Sequence, residues 1–121
     1  MNDEKKIFDI KKRAYIFGLE IIHLVEKFKK TVATNIIQKQ LIRSATSIAA
    51  NLVEGKYAAS KKDFINFINH SVKSSHETIY WLQLSKDLHL NSAEKIEKLV
   101  AEGIEIRKIL TTIILNSKKN S

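Results

Sequence analysis

A chain of 121 residues with no cysteine, no proline and only three glycines has the size of one domain and suits long helices with few tight turns. The missing cysteines exclude disulfides, thiolate metal centres and thiol nucleophiles. Twenty-one Lys and Arg against 13 Asp and Glu leave a formal charge of +8, which favours anionic partners and says nothing of the fold.

Apolar spacing predicts four helices. The first spans about residues 9–28, with Ile10, Ala14, Phe17, Ile21, Leu24 and Phe28 at intervals of four and three, the seam of a helix lying along its neighbours. Asp9 is its expected N-cap, and Lys27, Lys29 and Lys30 suit the negative end of its dipole. The second runs from Thr34 or Asn35 to Glu54, with Ile37, Leu41, Ala45, Ile48 and Leu52 inward and Gly55 as its stop. The third covers residues 60–87, opening on Ser60 with Asp63 three residues on. Its expected apolar side carries Phe64, Phe67, Ile68, Val72, Ile79 and Leu82. The fourth opens at Asn91 or Ser92, with Glu94 three residues after Asn91, and covers about residues 92–116 with Ile96, Leu99, Gly103, Ile106, Leu110 and Ile113 in register. A polar tail, 117–121, is expected to fray. Short connections favour antiparallel neighbours, so the expected fold is all-α, an up-down-up-down four-helix bundle forming a single domain.

The longest uninterrupted apolar runs, such as Ile113-Ile114-Leu115, fall far short of the ~20 residues of a membrane-spanning helix. No apolar core of a signal peptide follows the N-terminal basic residues. A cytoplasmic protein with no membrane partner is the expectation. Isoleucines off the seams, Ile16 and Ile22, Ile36 and Ile42, Ile104 and Ile109, exceed what one bundle core uses and point to a homo-oligomer.

Chemistry-bearing patterns are sparse. Glu20 and His23 form one Glu-x-x-His, but the matching motif is missing: Phe67, Lys73 and Lys86 precede the other histidines by three. No metal site follows. With glycines only at 18, 55 and 103 there is no nucleophile elbow or phosphate-cradling loop. No catalytic residue and no cofactor is expected.

The second helix also carries a polar stripe, Arg43, Ser44, Ser47, Asn51 and Glu54, mostly three or four apart, and the third carries Ser71, Ser74, Ser75, Glu77 and Thr78 in a comparable register, small side chains that let two helices approach closely. Arg43, Ser44, Ser47, Asn51, Glu54 and Glu77 are expected to form a structural polar network, with Arg43 and Glu77 as an internal ion pair. A small-ligand pocket lined by Ser44, Ser47 and Asn51 is the alternative. Charge looks diffuse along the chain: +3 over residues 1–30, +2 over 31–59, +1 over 60–90 and +2 over 91–121. Only three of the cations are Arg, so bidentate recognition of bases or phosphates is not prominent, and any nucleic-acid binding is expected to be driven by shape and charge.

The stretch Arg43-Ser-Ala-Thr-Ser-Ile-Ala-Ala-Asn51-Leu-Val-Glu54-Gly55 resembles the signature of the small bacterial proteins first noticed in intervening sequences of 23S ribosomal RNA genes, roughly Arg-x-Ala-x-Ser-Ile-x-x-Asn-Ile-Ala-Glu-Gly. Phe8-Asp9-Ile10, Ser60-x-Lys62-Asp63-Phe64, Phe67 and Ser74-Ser75-x-Glu77 extend the resemblance to about residues 8–115. Basic residues often follow the Glu-Gly in that family; here only Lys56 stands before Tyr57-Ala58-Ala59. The resemblance implies a four-helix bundle assembled as a homopentamer with no known catalytic activity. A related group resembles the accessory proteins of diversity-generating retroelements, basic pentamers that bind a reverse transcriptase and nucleic acid.

Together these features lead to an expected non-enzymatic, oligomeric bundle that binds RNA or DNA through backbone phosphates, with Lys11, Lys12, Arg13, Lys56, Lys61 and Lys62 as contacts. The rival is a protein-interaction scaffold whose charge only maintains solubility, with a partner such as a reverse transcriptase.

Overall fold

The computed structural model describes residues 3–120, with side chains from residue 5 onward. Four helices follow in order: α1 (Asp3–Val25), α2 (Val32–Lys56), α3 (Lys61–Asp87) and α4 (Ala93–Lys119). They run up, down, up and down. Each packs against the two beside it, α1 on α2 and α4, α3 on α2 and α4, with the thinnest interface between α1 and α4. No strand occurs among the described residues.

The seams of α1, α2 and α4 bury every apolar residue that their spacing nominates, from Ile10 to Phe28, Ile37 to Leu52 and Ile96 to Ile113. Phe17 lies at the centre of this core, fully enclosed. Truncating a side chain of that size and burial to alanine costs about 3–5 kcal/mol.

Helix α3 departs from its expected face. Its buried row is Ile68, Ser71, Ser75, Thr78, Leu82 and Ser85, whereas Phe64, Val72 and Ile79 are only partly buried. The reason is size: small residues let α3 lie close against α2, and their hydroxyls need no partner from outside the helices. Ser75 donates to the Val72 carbonyl at 2.6 Å and Ser85 to that of Trp81 at 2.7 Å, the local bonding open to hydroxyls on a helix.

Several helix ends differ from expectation. Asp9 is not a cap but an internal residue of α1, because Ile7 extends the buried seam one turn upstream. The same helix ends at Val25, three residues early. Its last carbonyls are taken by side-chain amides, Gln38 Nε2 donating to Val25 at 2.6 Å and Asn91 Nδ2 to Leu24 at 3.3 Å. Lys27, Lys29 and Lys30 therefore lie in the turn and outside the helix, although Phe28 stays buried.

Helix α2 is capped by Thr31 and not by Thr34 or Asn35. Thr31 and Thr34 each accept the other's backbone N–H, at 3.1 and 2.8 Å, a capping box with threonine in the third position. Ser60 caps α3 as read from the sequence, and of the two candidates for α4 it is Ser92 and not Asn91 that caps, each serine accepting a backbone N–H at 3.1 Å. Gly55 does not stop α2; it is helical and buried, and the helix continues to Lys56. A Cβ at Gly55 would stand 3.2 Å from that of Phe67, so the glycine serves the close approach of α3. At the other end, residues 117–119 are helical, Ser117 is buried one turn beyond Ile113 and Ile114, and Asn120 caps the helix with its N–H on the Asn116 carbonyl, so the expected frayed tail is ordered through Asn120, and Ser121 lies outside the described residues.

Candidate nucleic-acid interface

The topology determines which charges meet. An antiparallel bundle places the start of α1, the end of α2, the start of α3 and the end of α4 at one end. The helix midpoints fall at Ala14, Ser44, Ser74 and Ile106, all uncharged. On the side holding the chain termini and the α2–α3 turn lie 13 of the 21 Lys and Arg and 5 of the 13 Asp and Glu. The opposite half holds eight of each. The whole formal excess of +8 therefore sits on one half of the bundle, although it looks diffuse in chain order.

The salt bridges sharpen the contrast. Arg43–Glu77, Lys86–Glu97, Lys98–Glu94 and Arg13–Glu102 all draw their acid from the balanced half. None of Lys11, Lys12, Lys56, Lys61 and Lys62 pairs with a described acid.

Those lysines occupy two faces of the basic end. Lys11 and Lys56 border a groove of about 550 Å³ with Ile7, Phe8, Gly55 and Phe64. Phe8 is 61% exposed and Tyr57, beside Lys56, is 77% exposed. The Lys56 ammonium lies 5.8 Å from the centre of the Tyr57 ring, within cation–π range. Lys61 and Lys62 line a second groove of about 500 Å³ with Asn66, Asn69 and Lys118. Lys12 is exposed on α1 and lines neither groove.

Arg13 differs from the other five. It faces α4, and its Nε and Nη2 donate to the two Glu102 carboxylate oxygens, both at 2.7 Å. These hydrogen bonds hold the Arg13 guanidinium above its ordinary pKa, against some opposing desolvation. Its fork is already engaged, unlike the lysines.

The polar stripe is packed. Thr78 Oγ1 and Ser44 Oγ bond at 2.9 Å, Ser74 Oγ donates to Ser47 Oγ at 3.1 Å, and Ser71 Oγ donates to the Ile48 carbonyl at 2.8 Å. Asn51 Nδ2 donates to the Ser47 carbonyl and hydroxyl at 2.8 and 3.0 Å. No buried side-chain N or O among the described residues lacks a partner, which leaves the small-ligand pocket without a free polar group. Arg43 and Glu77 do pair, and Glu77 also accepts from Trp81 Nε1 at 3.0 Å. The pair is at the surface, not internal, with Arg43 57% exposed, because Arg43 sits on the flank of α2 and the hydroxyls take the inward positions. Glu54 does not join the network. Its side chain is exposed, and no described hydrogen bond or ion pair reaches the carboxylate. Glu20 and His23 are exposed, and no group of three or more candidate metal ligands occurs among the described residues. No helix there is long and apolar enough to cross a membrane.

Sequence reasoning missed Lys5, Lys6, Lys108, Lys118, Lys119 and the exposed Phe8 as members of the same end. The signal was available: folding the four predicted helices up and down and counting charge by end, not by segment, gathers them.

The model of the 23S rRNA-intervening sequence protein family matches residues 6–112. The chain belongs to that family. A crystal structure of a protein of unknown function from the S23 ribosomal protein family of Bacteroides thetaiotaomicron is similar, at 34% identity and a TM-score of 0.83 over 90% of this chain and 97% of the other. No functionally curated protein matches. Family membership accounts for the four-helix architecture, and the family carries no assigned activity from these relatives.

Proposed function

We propose that the chain is a non-enzymatic, oligomeric bundle that binds nucleic acid through backbone phosphates without reading sequence. The observation that carries this reading is the collection of the +8 excess on one half of the bundle. Clustered lysines unpaired with described acids release counterions from a polyanion, a gain that depends on phosphate charge and not on base identity. Lys11, Lys12, Lys56, Lys61 and Lys62 are the contacts; Arg13 supports them from its pair with Glu102.

Self-association strengthens the field. Tyr15, Gly18, Leu19, Thr46, Ala50 and Val53 line an apolar groove of about 300 Å³ between α1 and α2, and Tyr15, Leu19 and Val53 are exposed. We assign this face to a second copy of the chain, in a pentamer as the family resemblance implies. A cyclic ring with its axis along the helices gathers every basic end on one rim.

Fluorescence anisotropy with labelled RNA tests the reading. Binding at low salt should weaken linearly on a log–log salt plot, with a slope near −4 if about six phosphates of a single strand are neutralised. No binding at low salt, or binding indifferent to salt, refutes it. Light scattering should return a multiple of the 13.9 kDa chain mass. The apolar groove also favours a rival, in which it seats another protein and charge only maintains solubility. Recovery of a protein partner that survives nuclease treatment, from a chain that binds no RNA, supports that rival.

A further inference from the structure

Resting on the phosphate-binding reading, we infer that the basic end takes single-stranded nucleic acid in preference to duplex, with bases stacking on Phe8 and Tyr57. Phosphate contact alone requires lysines and no aromatic rings. Yet the groove where the starts of α1 and α3 meet the end of α2 has lysines, Lys11 and Lys56, beside Phe8, and Tyr57 follows Lys56 directly in the chain. Both rings are more exposed than buried, at 61% and 77%, so neither is placed there by the bundle core. Phe8 has no polar group to reward its exposure to water, and a flat apolar ring beside cations matches a nucleobase linked to its phosphate. Bases in a duplex are stacked on each other and present no face to such rings; bases in a single strand do. Lysine predominates at this end, with Arg13 engaged by Glu102, so stacking adds affinity without adding sequence preference.

The test compares three labelled ligands of equal phosphate number on the full chain: an oligouridylate, an RNA duplex and an abasic phosphodiester strand. The unmodified protein should bind oligouridylate about tenfold more tightly than the abasic strand, the effect of one or two stacked bases. Phe8→Ala and Tyr57→Ala should each lose about tenfold in oligouridylate affinity while changing duplex affinity less than about twofold. Tyr80→Ala, an exposed tyrosine of the opposite half, should change neither. Equal affinity for oligouridylate and abasic strand overturns stacking while leaving phosphate binding intact. Absence of binding to all three overturns the underlying reading as well. The abasic comparison uses the unaltered protein, so it decides even if a variant fails to fold.

Discussion

The two ends of the bundle contain the same helical parts and carry different charge. Each end has two helix N-termini and two C-termini, so the backbone dipoles largely cancel and the asymmetry comes from side chains. At the balanced end, acids and bases are matched in number, and neighbours such as Lys86 and Glu97 pair at 3.0 Å. At the basic end, Lys11 and Lys56 in one groove and Lys61 and Lys62 in the other stand without described acidic partners. A fold that only needed solubility would gain nothing from concentrating like charges, which repel one another. The two halves therefore differ in charge balance, and the proposed function assigns an anionic partner to the half that carries the excess.

The largest effect should come from charge reversal. Replacing Lys11, Lys56, Lys61 and Lys62 by Glu, or instead Lys27, Lys29, Lys30 and Lys39, brings the same formal charge of +8 to zero in either variant. The first set should lower RNA affinity by at least about 1,000-fold and flatten the salt slope by about three. The second should lower it far less, about tenfold or below. Equal losses would mean that net charge alone matters and that the two ends are not functionally distinct.

Arg13→Ala marks the boundary between the halves. It should cost about 1.5 kcal/mol in urea unfolding, since a half-exposed bidentate pair is worth more than a simple surface pair and less than a buried one. RNA affinity should change less than about threefold, as one charge leaves the field. A large loss of affinity with unchanged stability would place Arg13 among the contacts after all.

The turn at the balanced end offers a smaller test. His89 has φ of 55°, and Leu90 and His89 donate to the carbonyls of Ser85 and Lys86, both at 3.0 Å, a Schellman termination that glycine usually occupies. His89→Gly should stabilise the fold by about 1 kcal/mol and leave RNA binding unchanged. The smallest effect belongs to Gly18, where an added Cβ meets nothing closer than 3.8 Å. Gly18→Ala should stabilise the monomer by about 0.5 kcal/mol through helix propensity. Because Gly18 lines the α1–α2 groove, a fall in oligomer mass alongside that gain would confirm the groove as the self-association face.

The core was legible where large apolar residues recur, as in the Ile10 and Ile96 seams, because burial and spacing agree there. Helix α3 was legible in part. Its small polar row is recognisable in the sequence, but Ser71, Ser75 and Thr78 satisfy their hydroxyls locally or across to Ile48 and Ser44, and polarity alone does not reveal that this row takes the inward positions expected of Phe64, Val72 and Ile79. Gly55 was misread for a related reason: a glycine that permits close packing and one that ends a helix look alike in a sequence, and only the neighbouring Phe67 distinguishes them. The family signature from Arg43 to Gly55 was legible, and most of it turns out to hold α2 against α3. The charge pattern was present but folded away, since its order along the chain conceals that alternate helix ends meet.

Backbone-amide shift mapping with a single-stranded RNA at low salt reads out which end of the bundle meets the nucleic acid. Perturbed amides should cluster in the basic half, around Phe8 to Lys12, Lys56 to Lys62 and the last turn of α4, while the turns at Lys27–Lys30 and Leu88–Ser92 stay unmoved. Perturbations centred on those two turns, or spread evenly over both ends, would contradict that placement.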